Sequence, residues 1–433
     1  MAGAEPGDPA AGAEPAGSTA AHPAADLSLA AGPVGLLGTY RGAGLPRTVK
    51  ALGLTSFLQD VASEMVYPLL PAFLAALGGG PVALGAMESA AEGALALLKG
   101  AAGRWSDRVG RRKPFASAGY GLSAATRPLM ALAAAVWQVV GLRVVDRVAK
   151  GLRTAPRDAM IADATPPAFR GFAFAFHRGL DHLGAALGPL LAALVLAAAP
   201  GKVRLVFALA TIPALAGWLS LQLGAREPVP TLRAELPRRA GGERVRRSGL
   251  PRELRRPLAA FFLFSLGNAS DAFLLLRATQ LGYSPLGLAL LWSGFHVAKW
   301  LASAPAGRLA DRLGPRRPIL LGWAIYALVY VGFGHATGPA TVLPLLALYA
   351  LHYGLTEGAE RSLVVTLGAR AAGAGTALGA YHLTTGLGVF AASLLFGVLW
   401  ETLSPAVAFD LGAVLAATAA FVLALGEPRR PIA

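Results

Sequence analysis

Twelve apolar runs of roughly 20 residues, each long enough to cross a hydrocarbon core about 30 Å thick as a helix, constrain this chain more than any other feature. They cover residues 49–77, 82–101, 114–136, 138–156, 172–199, 203–223, 257–281, 285–306, 317–335, 341–367, 373–400 and 404–426. The expected fold class is an all-α polytopic membrane protein. Composition points the same way: mean hydropathy is +0.54 and only 15% of the 433 residues are charged, against about 25% in ordinary soluble domains. A water-soluble enzyme is not expected from such a chain. The 53 Gly and 31 Pro suit bilayer helices, whose neighbours re-satisfy the backbone groups that such residues free.

A net charge of +15 could signal nucleic acid, anionic lipid or topology, and its placement decides for topology. Arg104, Arg108, Arg111, Arg112 and Lys113 lie between the second and third runs, and Arg308, Arg312, Arg316 and Arg317 between the eighth and ninth. The segment from Arg226 to Arg256 holds ten Arg against four Glu. The intervening joints, Gly78 to Pro81 and Gly282 to Pro285 among them, are nearly free of Lys and Arg. Both termini and the central segment are therefore expected on the cytoplasmic side of the cell (inner) membrane, with no nucleic-acid partner. Residues 1–45 lack the basic start of a signal peptide and the Arg content of a transit peptide, and read as a disordered cytoplasmic tail. The expected organisation continues with an N-terminal six-helix bundle at 46–225, a basic cytoplasmic linker at 226–256, a C-terminal bundle at 257–426 and a cytoplasmic tail at 427–433. The absence of cysteine excludes a disulfide framework and thiolate metal sites. No cofactor and no metal are expected.

The chain repeats itself. Gly103-Arg-Trp-Ser-Asp107-Arg108-Val-Gly110-Arg111-Arg112-Lys113-Pro114 recurs 204 residues later as Gly307-Arg-Leu-Ala-Asp311-Arg312-Leu-Gly314-Pro315-Arg316-Arg317-Pro318. Phe176-His177 is echoed by Tyr381-His382 at offset 205, and Gly151 by Gly358 at offset 207. Two pseudo-symmetric six-helix bundles are the economical reading, with a site between them near the bilayer midplane.

These residues resemble the major facilitator superfamily. The G-x-x-x-D-R-x-G-R-R/K loop at Gly103 to Arg112 is that superfamily's most specific signature, and a partial copy from Gly307 to Arg317 belongs with it. Arg147-x-x-Lys150-Gly151-x-x-x-Ala155 is similar to its fourth-span motif, and Pro68-Leu-Leu-Pro71 to the P-x-x-P of twelve-span exporters. Gly184-x-x-x-Gly188-Pro189 matches the start of the exporter motif in span 5, with Ala192 and Ala193 where that motif has glycines. The strings around Asp60 to Pro71 and Asp146 to Asp158 look like a largely uncharacterised prokaryotic branch of permeases resembling drug and metabolite exporters. The resemblance implies a cytoplasmic latch of Gly103, Asp107, Arg108, Gly110, Arg111 and Arg112 with Gly307, Asp311, Arg312 and Gly314, and Arg147 or Arg153 as partners.

Charges within the apolar runs are costly, about 2.5 to 3.5 kcal/mol each on insertion scales, so they mark interior and functional positions. Asp60, Glu64 and Tyr67 share a helical face, Glu88 and Glu92 are one turn apart, and Arg147 and Lys150 lie in the fourth span. His177, Asp181 and His182 follow in the fifth. The second half offers Asp271, His296, His352, Glu357, Arg361 and His382, with Asp271 at offset 207 from Glu64. Carboxylates this close in a low-dielectric interior make proton carriers, and the rival reading is a static ion-pair network with the basic residues of span 4. Trp292 and Trp300 read as packing or lipid-facing rings.

No P-loop is present, so the chain does not draw on ATP directly. The expected function is secondary active, proton-coupled efflux of a small polar or ionic organic solute by alternating access of a monomer, without enzymatic activity. Its partners are the solute, protons and the lipid bilayer. Proton-coupled uptake or uniport of a small metabolite stands second, and a membrane-embedded enzyme or non-transporting sensor is remote.

Overall fold

The structure, a computed structural model, describes residues 45–165, 170–227, 252–368 and 374–425, and these are helical with no strand among them. The expected tail at 1–45, most of the linker at 226–256 and the tail at 427–433 lie outside the described residues. Span 1 is helix Arg47–Val66, a 3-10 turn Tyr67–Leu69 and helix Leu70–Ala76, broken where Pro68 and Pro71 lack amide donors. Spans 2 to 5 are Pro81–Val109, Lys113–Leu132, Val136–Asp163 and Arg170–Ala198. Span 6 is Val203–Leu209 followed by Thr211–Gly224, and span 7 is Arg252–Gly267 and Ala272–Gln280, interrupted at residues 268–271. Spans 8 to 12 are Pro285–Leu313, Arg316–His335, Val342–Gly368, Ala374–Thr402 and Pro405–Ala424.

Eight of these segments are long and apolar enough to cross a membrane by length and composition. The other four, spans 1, 3, 4 and 8, are less apolar, with polar or charged residues in their interiors. Span 2 has 29 residues, about 43 Å of helix at 1.5 Å per residue, and so overhangs the hydrocarbon core toward the Arg-rich end. The same overhang carries spans 4 and 8 to Asp163 and Leu313, past the 156 and 306 expected. Apolarity stops at the interface, whereas helical hydrogen bonding does not.

The duplication in sequence is a duplication in packing. In the first half span 1 packs on spans 5 and 6, and span 4 on spans 2 and 3; in the second half span 7 packs on spans 11 and 12, and span 10 on spans 8 and 9. The halves meet where span 2 lies on span 11 and span 5 on span 8, contacts exchanged by the same two-fold relation. Gly110 and Gly314, equivalent in the repeat, end spans 2 and 8 with φ of +73° and +76°, a conformation that suits glycine.

Contacts joining the halves cluster toward the Arg-poor end. Val82 N–H donates to Glu401 at 2.9 Å, Ser89 Oγ to the Phe390 carbonyl at 2.7 Å, and Ser293 Oγ to the Ala186 carbonyl at 2.8 Å. Gly85 and Gly397 give spans 2 and 11 their close approach, since a Cβ at Gly397 would lie 2.5 Å from the Pro81 carbonyl oxygen. This end is closed.

Candidate functional site

Span 4 is the spine of the first half's polar interior. The guanidinium of Arg143 donates to both oxygens of Glu88, at 2.9 Å and 3.3 Å, and lies 4.9 Å from the ring centroid of Tyr67. Asp146, one turn on, accepts from Arg127 Nη2 at 3.0 Å and from the Ser123 hydroxyl. Arg127 also reaches Ser63 at 3.0 Å, and Gln59 donates to Ser123 at 2.9 Å. Two buried acids thus have two buried guanidinium partners, with the hydroxyls of Ser63, Ser123 and Ser270 joining them. Arginine does not give up its proton here, so this part of the interior is a fixed ion-pair network that ties spans 1, 2, 3 and 4.

Glu64 is placed differently. Its Oε2 accepts from the indole Nε1 of Trp292 at 2.9 Å and lies 3.7 Å from Nε2 of His296, both on span 8 of the opposite half. Beside it, Ser270 of span 7 donates to Glu88 at 2.8 Å and lies 3.3 Å from the Tyr67 hydroxyl, whose ring stands 5.5 Å from that of Trp292. Glu64, Tyr67 and Glu88 therefore form the seam with the second half. One turn away, Asp60 has no ion-pair partner at contact distance among the described residues; Lys150, Arg153, Arg157 and Glu64 are the charges that bear on it. Asp181 joins this group through its charge, and its Oδ2 lies 3.4 Å from His177 Nδ1. Glu92 lies 3.9 Å from Arg147. His182, exposed on the same span as His177, faces Lys299 and Glu357 of the other half. Among the described residues no cluster of three or more His, Asp or Glu could hold a metal.

In the second half, Asp271 sits in the break of span 7 and accepts from the hydroxyls of Tyr349 at 2.7 Å and Tyr353 at 3.2 Å. Lys299 lies 3.4 Å from Glu357 and 4.0 Å above the Tyr353 ring, and Arg361 reaches Glu357 at 3.3 Å. His352 is buried with Nδ1 2.9 Å from the Gly322 carbonyl, which fixes that nitrogen as the donor. His382 is exposed on span 11. By the offset of 207 that relates Gly151 to Gly358, Lys150 and Arg153 correspond to Glu357 and Glu360, so the sign of charge inverts between the two halves.

The exporter-like glycines are packing positions against the acids. A Cβ at Gly184 would lie 2.5 Å from the Phe57 carbonyl oxygen and 3.1 Å from the Asp60 Cβ; at Gly188 it would lie 2.6 Å from the Val61 carbonyl oxygen and 2.9 Å from the Glu64 Cβ. Pro189 is buried beside them. Gly388, at offset 204 from Gly184, puts span 11 on span 7 at Ser265 in the same way.

At the Arg-rich end, Arg112 pairs with Asp163 of span 4 at 3.3 Å, and its amide and that of Lys113 donate to Glu227 at 2.6 Å and 2.8 Å. Arg108, Arg111 and Arg312 are exposed, and Gly103 packs near Ala155 while Gly307 faces open space. The side chains of Asp107 and Asp311 lie outside the described residues. Arg147 is engaged with Glu92, and Arg153 stacks 4.5 Å above Tyr120.

Three site residues escaped the sequence reading. Arg143 and Arg127 were detectable, because any intramembrane Arg needs a partner. Trp292, by sequence a packing or lipid-facing ring, is buried and is the hydrogen-bond donor to Glu64. Trp300, by contrast, is 42% exposed.

The family model for the Major Facilitator Superfamily matches residues 52–393, and again 258–433. An uncharacterised MFS-type transporter of Methanocaldococcus jannaschii is 31% identical over 388 residues, covering 88% of this chain and 94% of its own. Among solved structures, a POT family transporter in complex with 5-aminolevulinic acid aligns with a TM-score of 0.71 at 12% identity, over 88% of this chain and 96% of that one. A D-xylose–proton symporter aligns with a TM-score of 0.66 at 17% identity, over 88% and 97%. The repeat, the paired bundles and the matched family agree: this chain is a multi-pass membrane transporter of small molecules belonging to the major facilitator superfamily.

Proposed function

We propose that the protein is a proton-coupled antiporter that exports a small polar or ionic organic solute across the inner membrane, as a monomer with both termini cytoplasmic. The bundles at 46–225 and 257–426 rock about the seam, joined by the linker at 226–256. The observation that carries this reading is Glu64, a carboxylate whose partners are a histidine and an indole of the opposite half rather than a fixed Arg or Lys. Ionised, Glu64 accepts a charge-assisted hydrogen bond from Trp292 across the seam, with His296 3.7 Å away; protonated, it loses that attraction and the Arg-poor end loosens. Asp60 and Asp181 extend a titratable group toward the Arg-rich end. The packing of Gly184 and Gly188 against Asp60 and Glu64 supports export, because this exporter-like motif sets the position of the proton-binding face. The D-xylose–proton symporter among the structural neighbours is consistent with proton coupling on this fold. Asp107 and Asp311, with the Arg residues around them, close the Arg-rich end in the opposite state.

The test is reconstitution of Glu64→Gln in proteoliposomes. Gradient-driven solute flux is expected to vanish while solute exchange across the membrane persists. Loss of neither activity would remove Glu64 from the coupling.

A further inference from the structure

Glu360 takes no part in the contacts around Glu64. It lies on span 10, 8% exposed, with Oε1 accepting from the Trp323 indole of span 9 at 3.1 Å and Oε2 from the Tyr381 hydroxyl of span 11 at 2.6 Å. Phe261 of span 7 packs edge-on against both rings, at 5.8 Å and 5.1 Å between centroids. The charged groups that face Glu360 are Arg361 and Glu357, both on its own span and paired with each other at 3.3 Å; Tyr381 is the titratable group on the neighbouring spans. Glu88 and Asp146, also buried, each have a guanidinium, and Glu360 has none among the described residues.

A buried carboxylate without a cation is costly, yet this cradle pairs both carboxyl oxygens in either protonation state. With Glu360 ionised, indole and phenol each donate to one oxygen. With Glu360 protonated, the indole still donates to the carbonyl oxygen, while the Tyr381 hydroxyl rotates from donor to acceptor of the carboxyl proton. A group held only to lock the fold needs its oxygens paired in one state; here they are paired in two. His382, the next residue of span 11, is exposed, and its ring lies 5.2 Å from that of Tyr381. The equivalent position in the first half is Arg153, stacked on Tyr120.

We infer that Glu360, cradled by Trp323 and Tyr381, is a second proton-binding site of the transport cycle, exchanging with the Arg-rich side through Tyr381 and His382. The site goes beyond the role given to Glu64 and stands without it.

Infrared difference spectroscopy of the purified full-length protein, titrated in H2O and D2O across roughly pH 5 to 9, the interval around neutrality, tests it. The expected result is a protonated-carboxyl band that grows on acidification, is absent in Glu360→Gln and survives in Glu64→Gln. In His382→Gln the band remains, but its hydrogen–deuterium exchange slows by at least about tenfold. A Glu360-dependent band that persists unchanged to the alkaline limit makes Glu360 a permanently neutral structural acid and overturns the proposal. No band lost in Glu360→Gln means permanent ionisation and overturns it equally. An exchange rate unchanged by His382→Gln overturns the exit route. Should Glu360→Gln fail to fold, Tyr381→Phe, which keeps the carboxyl and removes one partner, must displace the same band; an unmoved band counts against the site.

Discussion

The indole Nε1 of Trp292 in span 8 donates a 2.9 Å hydrogen bond to Oε2 of Glu64 in span 1, so a titratable carboxylate joins the two halves of the transporter at the seam. Trp292→Phe keeps an aromatic ring against Tyr67 and Phe295 but removes the donor. A hydrogen bond to a charged group contributes about 1.5 to 3 kcal/mol, and its loss loosens the closed end. A cysteine introduced at Ala83 in this Cys-free chain is expected to be labelled faster in Trp292→Phe than in the parent. An unchanged rate would show that the Trp292 bond does not hold that end shut.

Glu88 and Arg143 form a buried bidentate pair at 2.9 Å and 3.3 Å. Removing one partner strands the other charge, at a cost of about 3 to 5 kcal/mol, whereas removing both is far milder. Arg143→Met is therefore expected to lower the thermal unfolding temperature sharply, and Glu88→Gln combined with Arg143→Met to restore much of it. Additive destabilisation would contradict a fixed pair at this position.

Gly188 faces the Val61 carbonyl oxygen and the Glu64 Cβ with no space for a side chain. Gly188→Leu must push span 5 off span 1, and overpacking of this kind costs about 1 to 3 kcal/mol. Proton-driven flux is expected to fall more than protein yield, because the displaced face carries Asp60 and Glu64. Wild-type flux in Gly188→Leu would detach the exporter-like motif from the proton-binding face.

The proposed latch assigns the loop between spans 2 and 3 to the state closed at the Arg-rich end. Asp107→Ala is expected to raise labelling, from that side, of cysteines placed in the cavity wall. Unchanged labelling would leave the Arg cluster as a topology signal alone.

The spans and their duplication were legible because membrane insertion writes itself as uninterrupted apolarity, and the loop at Gly307 keeps the Gly, Asp, Arg and Pro positions of that at Gly103. The interior acids were legible for the same reason, as each charge interrupts that pattern. Pairing was not. Which acid meets Arg143 and which meets Trp292 depends on how spans 1, 2, 4 and 8 are rotated about their axes, and that is set by close approaches such as Gly188 on Val61. An indole in an apolar run reads alike whether it is exposed, as Trp300 is, or donates to a buried carboxylate, as Trp292 does. Helix ends were misplaced because spans 2, 4 and 8 run beyond the bilayer into the Arg-rich end.

The most direct measurement uses inside-out membrane vesicles containing the protein, an inside-acid pH gradient and a pH-sensitive dye, with cationic, anionic and zwitterionic solutes added in turn. Solute-dependent proton release, present in the parent and absent in Glu64→Gln and Asp60→Asn, is the expected result. Solute accumulation with no proton movement, or proton release that survives both substitutions, would contradict proton-coupled export through this seam.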